Sequence, residues 1–364
     1  IAASGRWDLY YTLTSVALLS IGSAGVWLTF YIGRINIGQG AYALMGGYVS
    51  AVLMTQFGVS FWATLPLAGI FCAAISVLIG FPILRLRGVY FAMITLVLTE
   101  VTRLSALALS VTNGAKGITS IPLPGGLRIF GTTIIPDFAT MENPRLAFYF
   151  LAVTLMVLSY AALWRIVNSR LGHLCRSLQQ NEELAASIGV NTAYLRLLAY
   201  AISSFFGGLA GAVFVAISQS IYPSSFAVTD SVNFMLYCFV GGLGFVSGPM
   251  LGTFLLYFGW DLLSVAKEYQ LLIYSSAMIA LIVICAQIFG FFITATGTTQ
   301  SLVEAVDAAG LSPYTVLAFL VVLYLVLGCF LDGISMIVLT MGVILPTVTA
   351  AGIDLIWFGI FVVI

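Results

Sequence analysis

Four apolar runs, Leu9–Tyr31, Phe61–Leu84, Phe148–Val167 and Leu197–Ser218, each reach the roughly 20 residues that an α-helix needs to cross a hydrocarbon core. Soluble cores do not carry such runs in series. The charge content agrees: of 364 residues only 13 are Lys or Arg and 13 Asp or Glu, so 7% are charged and 61% hydrophobic, where a soluble domain is about one quarter charged. The excess apolar surface has to face lipid. The expected fold is therefore all-α: a polytopic integral membrane helix bundle of about 10–12 transmembrane helices, with broken or re-entrant segments.

Hydropathy places helices at about 9–31, 37–56, 61–84, 88–110, 147–167, 196–218, 231–246, 249–265, 270–290, 314–331 and 334–350, followed by a last one that is cut off. The chain opens at Ile1 and stops inside an apolar run at Ile364, which reads as a fragment, and no cleavable signal peptide is recognisable. Two hydrophilic interruptions stand out, Thr112–Ala147, rich in Gly and Pro, and Asn168–Leu195, rich in charge. Basic residues collect in cytoplasmic loops near helix ends. Arg165, Arg170, Arg176 and Arg196 around the second loop, with Arg85 and Arg87 two helices earlier, therefore predict a cytoplasmic side there and place Thr112–Ala147 on the other face.

The 36 glycines are often paired within apolar segments, as in Gly46-Gly47, Gly207-Gly208 and Gly241-Gly242. Small residues allow close helix contact in lipid, and they also permit broken helices where backbone is buried or lines a cavity. Gly46 and Gly47 are open to either reading, whereas Gly241, Gly242 and Gly244 in GGLGFVSGPMLG predict a helix break. Glu100 and Arg103 lie three apart inside a span, where charge costs a few kcal/mol. They suit either a structural ion pair or a place on the transport path.

The five cysteines are scattered singly, read as small buried residues, and His173 stands alone. A histidine-based metal site or catalytic triad is therefore not expected, nor is a partnership with nucleic acid at zero net charge. No nucleophile–base pair or GxxxxGK[ST] loop occurs, so the chain is not expected to be an enzyme or to hold a cofactor of its own.

In RLGHLCRSLQQNEELAASIGVN (170–191), Leu174, Leu178, Ala185 and Ile188 fall at roughly helical spacing with Gln179, Gln180, Glu182 and Glu183 facing away. This predicts one short amphipathic helix outside the membrane, ended by Gly189. Its apolar stripe needs either the headgroup interface or another protein. The loop resembles the coupling segment of ABC importer permeases, whose E-x-A-x-x-x-G element would fall on Glu183, Ala185 and Gly189, with Glu182 and Ala186 alongside. INIGQGAYALMGGY (35–48), LRLRGVYFAMITLVLTE (84–100), NGAKGITSIP (113–122) and GGLGFVSGPMLG (241–252) resemble, in the same order, the permease of the branched-chain amino acid importer family. The resemblance covers about residues 8–275.

It implies an inner-membrane permease domain at 1–275, with the cytoplasmic coupling loop at 168–195. Alternating access would be driven by ATP on separate cytoplasmic ATPase subunits. A second permease subunit and a periplasmic substrate-binding protein would be partners. Branched-chain amino acids or similar small polar solutes would be the cargo.

FFITATGTTQ (291–300), LGCFLDGISMIVLT (327–340) and GVILPTVTAAGID (342–354) resemble instead the end of the large membrane subunit of TRAP-type secondary transporters, over about 285–364. By that resemblance Thr294, Thr296, Gly297 and Asp332 are candidates for a sodium or substrate site, while Asp332 equally suits a helix N-cap. This segment, taken as 276–364, holds only the end of one of the family's two halves. The alternatives are thus a Na+-coupled transporter subunit for C4-dicarboxylates or related organic acids, and a fused or misjoined chain that transports nothing.

Overall fold

The computed structural model describes residues 2–86, 88–129, 132–135, 137–138, 140, 143–187 and 189–259, together with isolated residues beyond. The chain divides into two compact units, Ile1–Leu263 and Ser264–Ile364, and the described helices and strands belong to the first.

The helices of that unit are α1 (Ala2–Phe30), α2 (Gln39–Thr55), α3 (Phe61–Ile83), α4 (Val89–Ala108), α5 (Pro144–Val167), α6 (Arg170–Gln180), α7 (Glu182–Ser187), α8 (Thr192–Ser218), α9 (Val228–Gly241) and α10 (Gly248–Thr253). Among the described residues five are long and apolar enough to cross a membrane, within α1, α3, α4, α5 and α8. The helices expected beyond residue 265 lie outside the described residues, as do Thr294, Thr296, Gly297 and Asp332. An antiparallel hairpin of β1 (Leu127–Ile129) and β2 (Thr132–Ile135) interrupts the helical pattern within the predicted loop 112–147.

Helix α8 is the hub and packs on α1, α2 and α3. In lipid, apolar side chains gain nothing by leaving solvent for each other, so close approach has to supply van der Waals contact. Glycines provide it here. A Cβ on Gly46 would lie 2.4 Å from the Gly208 Cα, and one on Gly211 only 1.8 Å from the Ala43 carbonyl oxygen. Helix α2 runs unbroken through Gly46 and Gly47, so that pair serves packing and the alternative of a break there is set aside. The break expected at Gly241–Gly244 is present: α9 ends at Gly241, Gly242 takes φ +93°, and α10 starts at Gly248. The two helices fold back on each other closely enough that a Cβ on Gly241 would meet the Gly248 carbonyl.

Helix α2 starts two residues later than expected because Gly33–Gly38 stays non-helical, with Arg34, Asn36 and Gly38 buried. The first amides of a helix lack intrahelical partners, and apolar surroundings offer no water to replace them. Side chains do so instead. The Ile37 amide donates to Thr95 Oγ1 at 3.1 Å, Gly38 to Asn36 Oδ1 at 2.9 Å and Gly40 to Ser231 Oγ at 2.9 Å. Gln39 Nε2 donates to the Ser203 carbonyl at 3.0 Å. Asn36, Gln39, Thr95, Ser203 and Ser231 are all fully buried.

At one end of the bundle, residues 109–126 are tied to the exit of α8 by a reciprocal pair of hydrogen bonds between Ile118 and Ile221, both 2.9 Å. At the opposite end gather the α1–α2 turn, the α3–α4 turn and α6–α7, where Arg34 reaches both Leu86 and Glu182.

Candidate coupling site

Helices α6 and α7 connect the last long span before them, α5, to α8, and they rest on the basic end of the bundle. The structure corrects the expectation of one continuous helix. Asn181 leaves the helical region (φ −158°, ψ 106°), and its Oδ1 accepts from the Leu184 amide at 3.0 Å. That is N-cap chemistry, which starts a new helix at Glu182. Leu178, Ala185 and Leu195 close into a small buried cluster beneath the joint. Leu174 stays 37% exposed and Cys175 takes the buried position on α6 instead. Ile188 lies outside the described residues. Gly189 ends the element as expected, at φ +85° with its amide bonded to the Ala186 carbonyl at 3.0 Å.

The second correction concerns Glu182, which was expected to face away. Its Oε1 lies 2.8 Å from Arg196 Nη1, and its Oε2 lies 3.3 Å from Arg34 Nη2. Arg34 also donates through Nη1 to the Leu86 carbonyl at 2.9 Å. The side chains of Arg34, Arg196 and Glu182 are 5%, 13% and 22% exposed. One carboxylate therefore joins α7 to the α1–α2 turn and to the N-terminal part of α8, while Arg34 adds the α3–α4 turn. Two like charges so placed need the anion between them, and Glu182 supplies it in charge-assisted bonds.

Sequence reasoning passed over Arg34 as a site residue. The signal that could have found it is a lone guanidinium between two apolar runs, where an unpaired charge is costly. Glu183, Ala186 and Gly189 are exposed, and next to them Leu184 is 63% exposed. Ala185 is buried in the joint. Cys175 in α6 is held near pKa 11 because burial disfavours its thiolate. Beside the start of α8 a cleft of about 370 Å³ is lined by Phe81, Arg85, Asn191, Tyr194 and Leu197.

Elsewhere, Arg103 Nε donates to Glu100 Oε2 at 3.0 Å on α4, so the i,i+3 ion pair forms, with the two side chains 29% and 41% exposed. It stands far from α6–α7 in sequence and is not part of the Glu182 cluster. Gly241, Gly242 and Gly244 sit at the α9–α10 turn, where Trp27 Nε1 donates to the Leu243 carbonyl at 3.0 Å.

A family model described as the branched-chain amino acid transport system / permease component matches residues 9–287. The chain belongs to this family. It is 32% identical over 264 residues to the high-affinity branched-chain amino acid transport system permease protein LivM of Salmonella typhimurium, and equally to that of Escherichia coli. Those alignments cover 69% of this chain and 62% of each relative, so the chain spans under two thirds of the length of these relatives. A TRAP transporter large permease protein of Haemophilus influenzae is 34% identical over 91 residues, 25% of this chain and 22% of that protein. No solved structure matches. As a family member the chain is a multi-pass membrane permease component and not an enzyme.

Proposed function

We propose that this permease component serves an ATP-driven importer of branched-chain amino acids or similar small polar solutes, in which α6–α7 receives separate cytoplasmic ATPase subunits. ATP stays on those subunits. A second permease subunit would complete the pathway and a periplasmic binding protein would deliver the cargo. The reading takes 1–275 as the permease domain and 276–364 as an appended segment.

The observation that carries the reading is the build of α6–α7. Its inner face is locked by Glu182 to Arg34 and Arg196, so a push on α7 reaches α1, α2 and α8 together. Its outer face presents Glu183, Leu184 and Ala186 to a partner. A rigid inner clamp beneath an exposed mixed face suits the passing of motion between subunits better than an interfacial helix resting on headgroups. The orientation follows from Arg34, Arg85, Arg165, Arg170, Arg176 and Arg196 near this end, under the rule that basic residues stay cytoplasmic.

Glu183→Ala together with Gly189→Leu tests it. The first change alters the exposed face and the second puts a side chain at φ +85°, where L-residues are strained. Membrane insertion is expected to persist while recruitment of the ATPase subunits is lost. Unchanged recruitment would contradict the assignment. The partial TRAP likeness supports a second reading, a Na+-coupled subunit, which predicts uptake that depends on sodium and is indifferent to ATPase partners.

A further inference from the structure

A cavity of about 240 Å³ lies between α1, the exit of α8 and the start of α9, towards the end of the bundle opposite the coupling element. Its walls divide by chemistry. Asp230 and Asn233, one turn apart on α9, join Ser225 and Ser15, whereas Leu18, Leu19, Phe214 and Phe226 are apolar. That volume is about eight times the ~30 Å³ share of a liquid water molecule, which admits a solute of roughly eight or nine non-hydrogen atoms. Leucine and isoleucine are of that size.

Asp230 is the informative group. Its Oδ2 accepts from the Ala227 amide at 2.8 Å and so closes the first turn of α9. The capping-box position at the helix N-terminus already favours the anion, and the same carboxylate lines the cavity, where the cationic group of a ligand would pair with it. The wall supplies what such a cation would ask for: one carboxylate, with the amide and hydroxyl oxygens of Asn233, Ser225 and Ser15 as further acceptors.

A larger cavity of about 690 Å³ shares the walls Tyr11 and Ile217 with the first and is lined by Arg145, Thr12 and Thr14. The two cavities thus set a cationic wall beside an anionic one, an arrangement suited to a zwitterion.

We propose that the smaller cavity is a subsite for an apolar α-amino acid, with Asp230 receiving its ammonium group and Leu18, Leu19, Phe214 and Phe226 its side chain. This rests on the reading of the chain as an amino-acid importer component.

The test is equilibrium binding of radiolabelled L-leucine to the full chain with its companion subunits in lipid nanodiscs, without a binding protein. Saturable binding is expected. It should fall at least about tenfold in Asp230→Asn, which keeps an acceptor for the Ala227 amide while removing the charge. An unchanged unfolding temperature in that variant separates binding from capping. Leu18→Trp should abolish binding by filling the cavity, and 4-methylpentanoate, leucine without its amino group, should not compete. Binding in Asp230→Asn equal to the parent, equal competition by 4-methylpentanoate, or no binding by the parent would each overturn the subsite. ATPase recruitment, measured alongside, keeps the two readings apart. Recruitment without leucine binding refutes the subsite alone, whereas leucine binding without recruitment refutes the coupling assignment alone.

Discussion

Glu182→Gln should loosen α7 from the bundle without unfolding the spans. The substitution keeps the size of the side chain and removes the negative charge that Arg34 and Arg196 share. Removing one partner of a fully buried ion pair costs about 3–5 kcal/mol, and an exposed pair is worth about 0–1 kcal/mol. With guanidiniums 5% and 13% exposed and the carboxylate 22% exposed, the site lies nearer the buried limit. Arg34 nevertheless keeps its bond to the Leu86 carbonyl at 2.9 Å, and glutamine still offers one oxygen. The expected loss is ~2 kcal/mol, or about 30-fold in the local opening equilibrium. Amide hydrogen exchange across 182–191 in nanodiscs reads this directly, because local opening is reported segment by segment. Exchange there should quicken by about 30-fold, with α1 and α3 unaffected, and the parent's protection should persist in high salt, since buried pairs are weakly screened. A change below about threefold, or equal loosening in all helices, would refute the clamp.

Gly211→Ala should be severe, because its Cβ would meet the Ala43 carbonyl oxygen at 1.8 Å; yield of folded protein in detergent should collapse, whereas Gly244→Ala, with open space around it, should leave yield intact. The Cys175 thiol, pushed up to about 11, should react with maleimide at a rate that keeps rising through pH 9–10, where an ordinary thiol near 9.0 levels off. The sign follows from the raised pKa: the reactive thiolate appears only at higher pH, so a plateau near pH 9 would contradict the burial. Asn181→Ala should remove the cap that starts α7 and cost about 1 kcal/mol of local stability, read as faster exchange of the Leu184 amide.

Hydropathy made the long spans legible, because lipid imposes length and apolarity together: α3, α5 and α8 lie within a few residues of their expected bounds. The start of α2 was displaced because its buried amides are satisfied by Thr95 and Ser231, contacts that no local pattern announces. The β1–β2 hairpin escaped notice since strands of three and four residues give almost no period-two signal. Within α6–α7, Gly189 was readable from its type alone, but the direction of Glu182 was not. A helical wheel carried across Asn181 assumes one axis, and the break turns α7 so that Glu182 meets a guanidinium 148 residues away in sequence. Asp230 hid for a related reason: its meaning depends on α1 and α8 walls that only the folded chain brings to it.

The most direct test of the importer account is uptake into vesicles holding this chain with its neighbouring gene products, with ATP and the sodium gradient varied independently. The account predicts leucine uptake that requires ATP and ignores sodium. Uptake driven by sodium without ATP would contradict it.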